Sequence, residues 1–174
     1  MNNVSKKYYF DTCTVIDAIN DSSPHHKSVK SALSQIEGSS VFSEYMEDEL
    51  KRVLRKSEMF RSRMDNLLSE YVNLKQKLGA TVVVNDTKVS SLEMYSRRIS
   101  RRVRIKQADV VHIGICGKEN IENIVSEDWH IHGRNRNGVP FIFMVRNEFL
   151  RVHNTFSNPQ HAFSTREGFL RRHI

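Results

Sequence analysis

A chain of 174 residues and 20.3 kDa has material for one compact domain and hardly for two. With 39% apolar and 27% charged residues, 7 Gly and 3 Pro, it can build an ordinary core and is neither collagen-like nor low-complexity. Lys and Arg outnumber Asp and Glu by 27 to 20, and the net charge of +7 suits RNA, DNA or an acidic membrane surface, the bland reading being solubility alone. No run of 18 apolar residues exists and MNNVSKKYYF lacks an apolar stretch, so neither a membrane span nor a secretory signal is expected. Two cysteines, Cys13 and Cys116, make neither a disulfide scaffold nor a four-thiol zinc site, and a reducing cytoplasm is the expected compartment.

In chain order, Val4 to Phe10 ends in the strand-forming run Tyr8-Tyr9-Phe10. Asp11 or Thr12 can cap a helix running to Asn20, and residues 25–37 carry Val29, Leu33 and Ile36 at helical spacing. Ser43 is a good N-cap for a helix over 43–56 with the stripe Met46, Leu50, Val53 and Leu54. Residues 59–78 read as one helix closed by Gly79, followed by a buried-type strand over 80–84. Helices are expected over 88–103 and 107–117, with strands at 121–125 and 141–145. Four short apolar strands separated by helices predict an α/β fold with a mostly parallel sheet covered on both faces.

In such sheets ligands sit beyond the carboxyl ends of the strands. Asp11 follows the first strand and Asp128 lies just past the strand ending at Val125. Asp109 heads an otherwise apolar helix, where a first-turn acid also suits the helix dipole. Among Glu44, Glu47, Asp48 and Glu49, both Glu47 and Glu49 border the buried stripe, and periodicity does not choose between them. Taken singly, each Asp could be no more than a helix cap. Gathered together, such carboxylates would raise one another's pKa unless a hard cation joined them. Mg²⁺ or Mn²⁺ prefers oxygen ligands and can activate water for in-line attack on phosphorus.

Tyr9-Phe10-Asp11-Thr12, Val41-Phe42-Ser43 with Glu49-Leu50-Lys51-Arg52-Val53-Leu54, Ala108-Asp109-Val110-Val111-His112-Ile113, and Ile124-Val125-Ser126-Glu127-Asp128 resemble the PIN domain in order and spacing, over residues 6 to 145. The resemblance implies a three-layer α/β/α sandwich with a mostly parallel central sheet, and an endoribonuclease using Mg²⁺ or Mn²⁺. It also implies that a toxin paired with an antitoxin protein, or a homodimer, is a natural setting. Carried over by position, Asp11, Glu49, Asp109 and Asp128 would be the catalytic, metal-holding acids, with Glu47 and Glu44 as alternatives for the second. Ser126 would support the last acid and Thr12 the first loop. Residues 1–150 would form the nuclease domain and 151–174 a basic C-terminal extension.

The run from Arg97 to Lys106 holds six cations and no acid, and Arg97, Arg98, Arg101, Arg102 and Arg104 are candidate contacts for an RNA backbone. Residues 133–174 add seven Arg against two Glu. His130 and His132 are better read as surface residues, and His112 as a satisfied histidine inside its helix. Cys13 has no evident activating base, which argues against a thiol nucleophile. The rival readings are a PIN-shaped nucleic-acid-binding module without catalysis, a nucleotide-binding protein of another doubly wound family, and an interaction protein working through its basic tail.

Overall fold

The computed structural model describes residues 6–36, 38–83, 107–119, 121, 123–126, 144–145, 148–149 and 151–153. Strand β1 (Tyr8–Phe10) leads into α1 (Thr12–Ile19), whose N-cap Asp11 accepts from the Thr14 amide. Then follow α2 (His26–Leu33), which tightens into a 3₁₀ turn at Ser34–Ile36, β2 (Ser40–Ser43), and α3 (Glu44–Lys56), capped by Ser43 as its sequence predicts. Next come α4 (Glu58–Arg61), α5 (Met64–Lys77), β3 (Thr81–Val83), α6 (Gln107–Glu119) and β4 (Asn123–Val125). The short strands β5 (Met144–Val145), β6 (Glu148–Phe149) and β7 (Arg151–His153) complete the described elements.

The main sheet has the order β3-β2-β1-β4-β7 and all its pairings are parallel. Alternation along the strands divides the core. Tyr8, Phe10, Phe42 and Val125 face α1, α2, α3 and α5, while Tyr9, Val41 and Ile124 pack with Val110, Val111 and Ile115 of α6. The result is the expected α/β/α sandwich. Register places Phe10 beside Val125, and the Asp11 amide donates to the Val125 carbonyl at 3.1 Å. The chain therefore leaves β1 and β4 at the same edge, bringing Asp11 next to Ser126.

Several elements differ from expectation. The helix over 59–78 is broken at Ser62 and Arg63, where the Arg63 guanidinium turns back to Asp21 at 2.6 Å and Ser22 at 2.9 Å. Gly79 takes φ +57 after α5, the left-handed conformation expected of a glycine that ends a helix. Helix α6 runs through Gly117 to Glu119. Strand β2 is not evident in the sequence because only Val41 and Phe42 are apolar between serines. Of the strand expected over 141–145, the described residues Met144 and Val145 pair antiparallel with β6, and the sheet's outer position is taken by β7, past residue 150. The helix expected over 88–103 lies outside the described residues. No helix among the described residues is long and apolar enough to cross a membrane.

Candidate active site

Asp11 is 3% exposed, yet its carboxylate is well supplied with donors. Oδ1 accepts from the Thr14 amide at 3.0 Å, the Cys13 thiol contacts both oxygens at 3.0 and 3.1 Å, and Oδ2 accepts from the fully buried Ser126 hydroxyl. A buried polar group without such partners would be costly.

Glu49 projects from the middle of α3 toward the start of α1. Its Oε2 accepts from Thr12 Oγ1 at 2.5 Å and lies 2.9 Å from His112 Nε2, while Oε1 lies 3.5 Å from the Arg52 guanidinium. The side chain is only 13% exposed. That burial alone would raise its pKa, but the hydrogen bonds from His112 and Thr12 and the charge of Arg52 outweigh it, and the carboxyl is held below its ordinary value. Glu47, two residues earlier, faces elsewhere. Its Oε1 accepts from the Tyr71 hydroxyl at 2.7 Å and the Lys75 ammonium at 3.0 Å, pinning α3 to α5. Glu44 is exposed at the helix start. Of the three glutamates considered, Glu49 is the one that meets Thr12.

Asp109 is 8% exposed in the first turn of α6. The Tyr9 phenol is pushed well above its ordinary value by burial first, with Asp11 and Glu49 among the charges that add to the effect. The Tyr45 phenol is raised by burial, then by Glu49, with a smaller contribution from Asp109. At the carboxyl edge of the sheet, Thr12 thus meets Glu49, and Asp11 meets Ser126. Asp128, Arg97, Arg98, Arg101, Arg102 and Arg104, together with His130 and His132, lie outside the described residues.

Two residues left out of the site by sequence reasoning stand behind it. His112 is 2% exposed and its Nδ1 lies 2.7 Å from the Tyr9 hydroxyl, which in turn lies 2.7 Å from Ser43 Oγ. The signals were present. Tyr9 is two residues before Asp11, and His112 is three residues after Asp109 on one helix face.

Carboxylate and hydroxyl oxygens are the donors that a hard divalent cation prefers, so the donor chemistry of this edge fits such an ion. Among the described residues, no three His, Cys, Asp or Glu side chains are grouped closely enough to hold one by themselves.

The profile of the PIN domain family matches residues 8–135, most of the chain and all the site residues described above. The chain belongs to the PIN domain family. Solved structures share the PIN fold at low sequence identity. Mycobacterium tuberculosis VapC20, a Sarcin-Ricin loop cleaving toxin, superimposes with a TM-score of 0.55 at 13% identity, covering 71% of this chain and 91% of its own. VapBC2 from Rickettsia felis, bound to a DNA fragment from its promoter, gives 0.54 at 15%, covering 84% and 97%. DNA-bound VapBC from Salmonella typhimurium gives 0.56 at 16%, covering 86% and 98%. A comparison with curated sequences finds no match.

Proposed function

We propose that this PIN domain is a metal-dependent endoribonuclease that hydrolyses RNA phosphodiester bonds, with Asp11, Glu49, Asp109 and Asp128 as the residues that hold Mg²⁺ or Mn²⁺. The observation that supports the reading is that Glu49, from the middle of α3, reaches Thr12 beside the buried Asp11 at the carboxyl edge of a parallel sheet in a PIN fold. Buried carboxylates at that edge would repel a bound phosphate, so a protein that only bound nucleic acid would gain nothing from them.

A divalent ion at this edge would supply positive charge against the phosphate and activate water for in-line attack. The chain's own residues prepare the place. Ser126 and the Thr14 amide hold the Asp11 carboxylate in one orientation, and Thr12 and His112 do the same for Glu49. Arg52, about half exposed beside Glu49, brings a cation to the rim where a phosphate would arrive. Arg97, Arg98, Arg101, Arg102 and Arg104 extend that role along the RNA backbone, and the family implies products with a 5′-phosphate and a 3′-hydroxyl.

The likeness to VapBC assemblies supports a toxin whose partner is an antitoxin protein, and a cytoplasmic, dimeric setting accords with this reading. Purified protein incubated with mixed RNA and Mn²⁺, beside its Asp11→Asn variant, tests the proposal. Cleavage by the parent and not by the variant supports it, and binding without cleavage by both would favour the binding module.

A further inference from the structure

The buried hydrogen bonds behind Glu49 form a continuous chain. The Met46 amide donates to Ser43 Oγ at 3.1 Å, which fixes that oxygen as the N-cap of α3. When the Ser43 hydroxyl donates to the Tyr9 oxygen at 2.7 Å, the Tyr9 hydroxyl donates to His112 Nδ1 at 2.7 Å. With Nδ1 accepting, the imidazole carries its proton on Nε2 and donates to Glu49 Oε2 at 2.9 Å. Every link is satisfied by one neutral tautomer, and successive donors in a dry interior polarise one another.

The chain begins and ends on α3, and between those points it passes through the central strand and through α6. His112 lies one turn beyond Asp109, so the imidazole fixes the helix carrying one acid against the helix carrying another. Because Oε2 receives both Thr12 and His112, the carboxylate is locked in rotation, and a ligand would meet Oε1, which has Arg52 at 3.5 Å.

We propose, resting on the nuclease reading above, that His112 is a positioning residue that sets the orientation of Glu49 toward the metal through the Ser43–Tyr9–His112 relay. The relay also gives a physical reason for Glu49, rather than Glu47, to be the second acid.

The amide nitrogen of Gln can stand in for imidazole Nε2, whereas that of Asn stands nearer to Nδ1. His112→Gln therefore keeps the donor to Glu49, and His112→Asn removes it. Mn²⁺ binding to the full chain without RNA, followed by electron paramagnetic resonance, is compared with kcat, KM and the melting temperature. His112→Asn should weaken Mn²⁺ binding by about 10- to 100-fold and lower kcat more than it alters KM. His112→Gln should recover most of the binding at a similar melting temperature. Equal losses in both, in step with thermal stability, would overturn the proposal. Nitrogen-15 spectra of the parent protein provide a readout independent of metal and activity. A proton on Nε2 with Nδ1 accepting supports the relay, and a proton on Nδ1 alone overturns it. A parent that shows the expected tautomer but binds no Mn²⁺ would sink the metal-dependent reading while leaving the relay to Glu49 in place. If His112→Asn does not fold, Tyr9→Phe takes its place in the comparison. It breaks the relay with little change in volume, and unchanged Mn²⁺ binding in that variant counts against the proposal.

Discussion

Thr12 Oγ1 donates to Glu49 Oε2 at 2.5 Å, joining the first residue of α1 to the middle of α3 across 37 positions of sequence. Both residues are largely shielded from water, so this contact links the two helices and is more than a surface decoration. Thr12→Val keeps the shape and removes the donor. It should destabilise the fold by about 1.5–3 kcal/mol, the range for a hydrogen bond to a charged group, as measured by urea unfolding, and should slow RNA cleavage. Thr12→Ser should retain most of both. Equal effects of the two substitutions would mean that the methyl group, and not the hydroxyl, matters.

Asp11 serves as a helix cap as well as a proposed metal ligand, and two substitutions separate those roles. Asn is as good an N-cap as Asp, so Asp11→Asn should keep the Thr14 contact and leave stability within about 1 kcal/mol of the parent while abolishing cleavage. Asp11→Ala should abolish cleavage and also lower stability by about 0.5–2 kcal/mol. Paired urea unfolding and cleavage assays check both, and a chelator should silence the parent until Mn²⁺ or Mg²⁺ is restored.

Glu47 gives the protein a definite response to acid. Burial would raise its pKa, but hydrogen bonds from Tyr71 and Lys75 and the lysine's charge outweigh burial, and the carboxyl is held below its ordinary value. A carboxylate depressed in the folded state contributes stability that is present above its unfolded pKa of about 4.3 and is lost as pH falls through the folded value. Urea unfolding of the parent from about pH 6 down to about pH 3 should therefore lose more stability than that of Glu47→Gln. Parallel curves would show that the clamp between α3 and α5 contributes nothing through its charge.

The same helix marks what a sequence can and cannot disclose. The Ser43 cap and the Met46, Leu50 and Leu54 stripe are readable because a cap needs a particular residue type and a buried face repeats with the helical turn. Glu47 and Glu49 sit on either shoulder of that stripe, and their partners, Tyr71 and Lys75 for one and Thr12 and His112 for the other, come from distant elements. Such a choice is made by tertiary contact and leaves no periodic trace. Strand β7 escapes for a related reason. Arg151, Val152 and His153 are not an apolar run, and what defines them as a strand is the neighbouring edge of β4.

Leu50 lies on that stripe, 1% exposed and packed in the larger core cluster. Leu50→Ala should lower stability by about 2–5 kcal/mol, read from urea or thermal unfolding, because the cavity it leaves adds to the lost burial. A loss well below that range would mean that α3 can settle into the space, and Glu49 would then move with it.

If Arg97 to Arg104 grip phosphates, replacing Arg101 and Arg102 by Gln should weaken RNA binding with little change in sequence preference. The slope of log affinity against log salt should also become shallower by about 1 to 2. An unchanged slope in filter-binding titrations would assign these arginines to another task.

The position of β1 in the sheet has a consequence for biosynthesis. Tyr8 pairs with Ser40 on one side and with Asn123 on the other, so the middle strand is made first and waits longest for its second neighbour. A nascent chain that has emerged only as far as β3 already contains Asp11 and Glu49, but Asp109 and Ser126 are still untranslated or inside the ribosome's tunnel. By the order of its strands, the chain cannot bring Asp11 and Ser126 together until most of it has been synthesised.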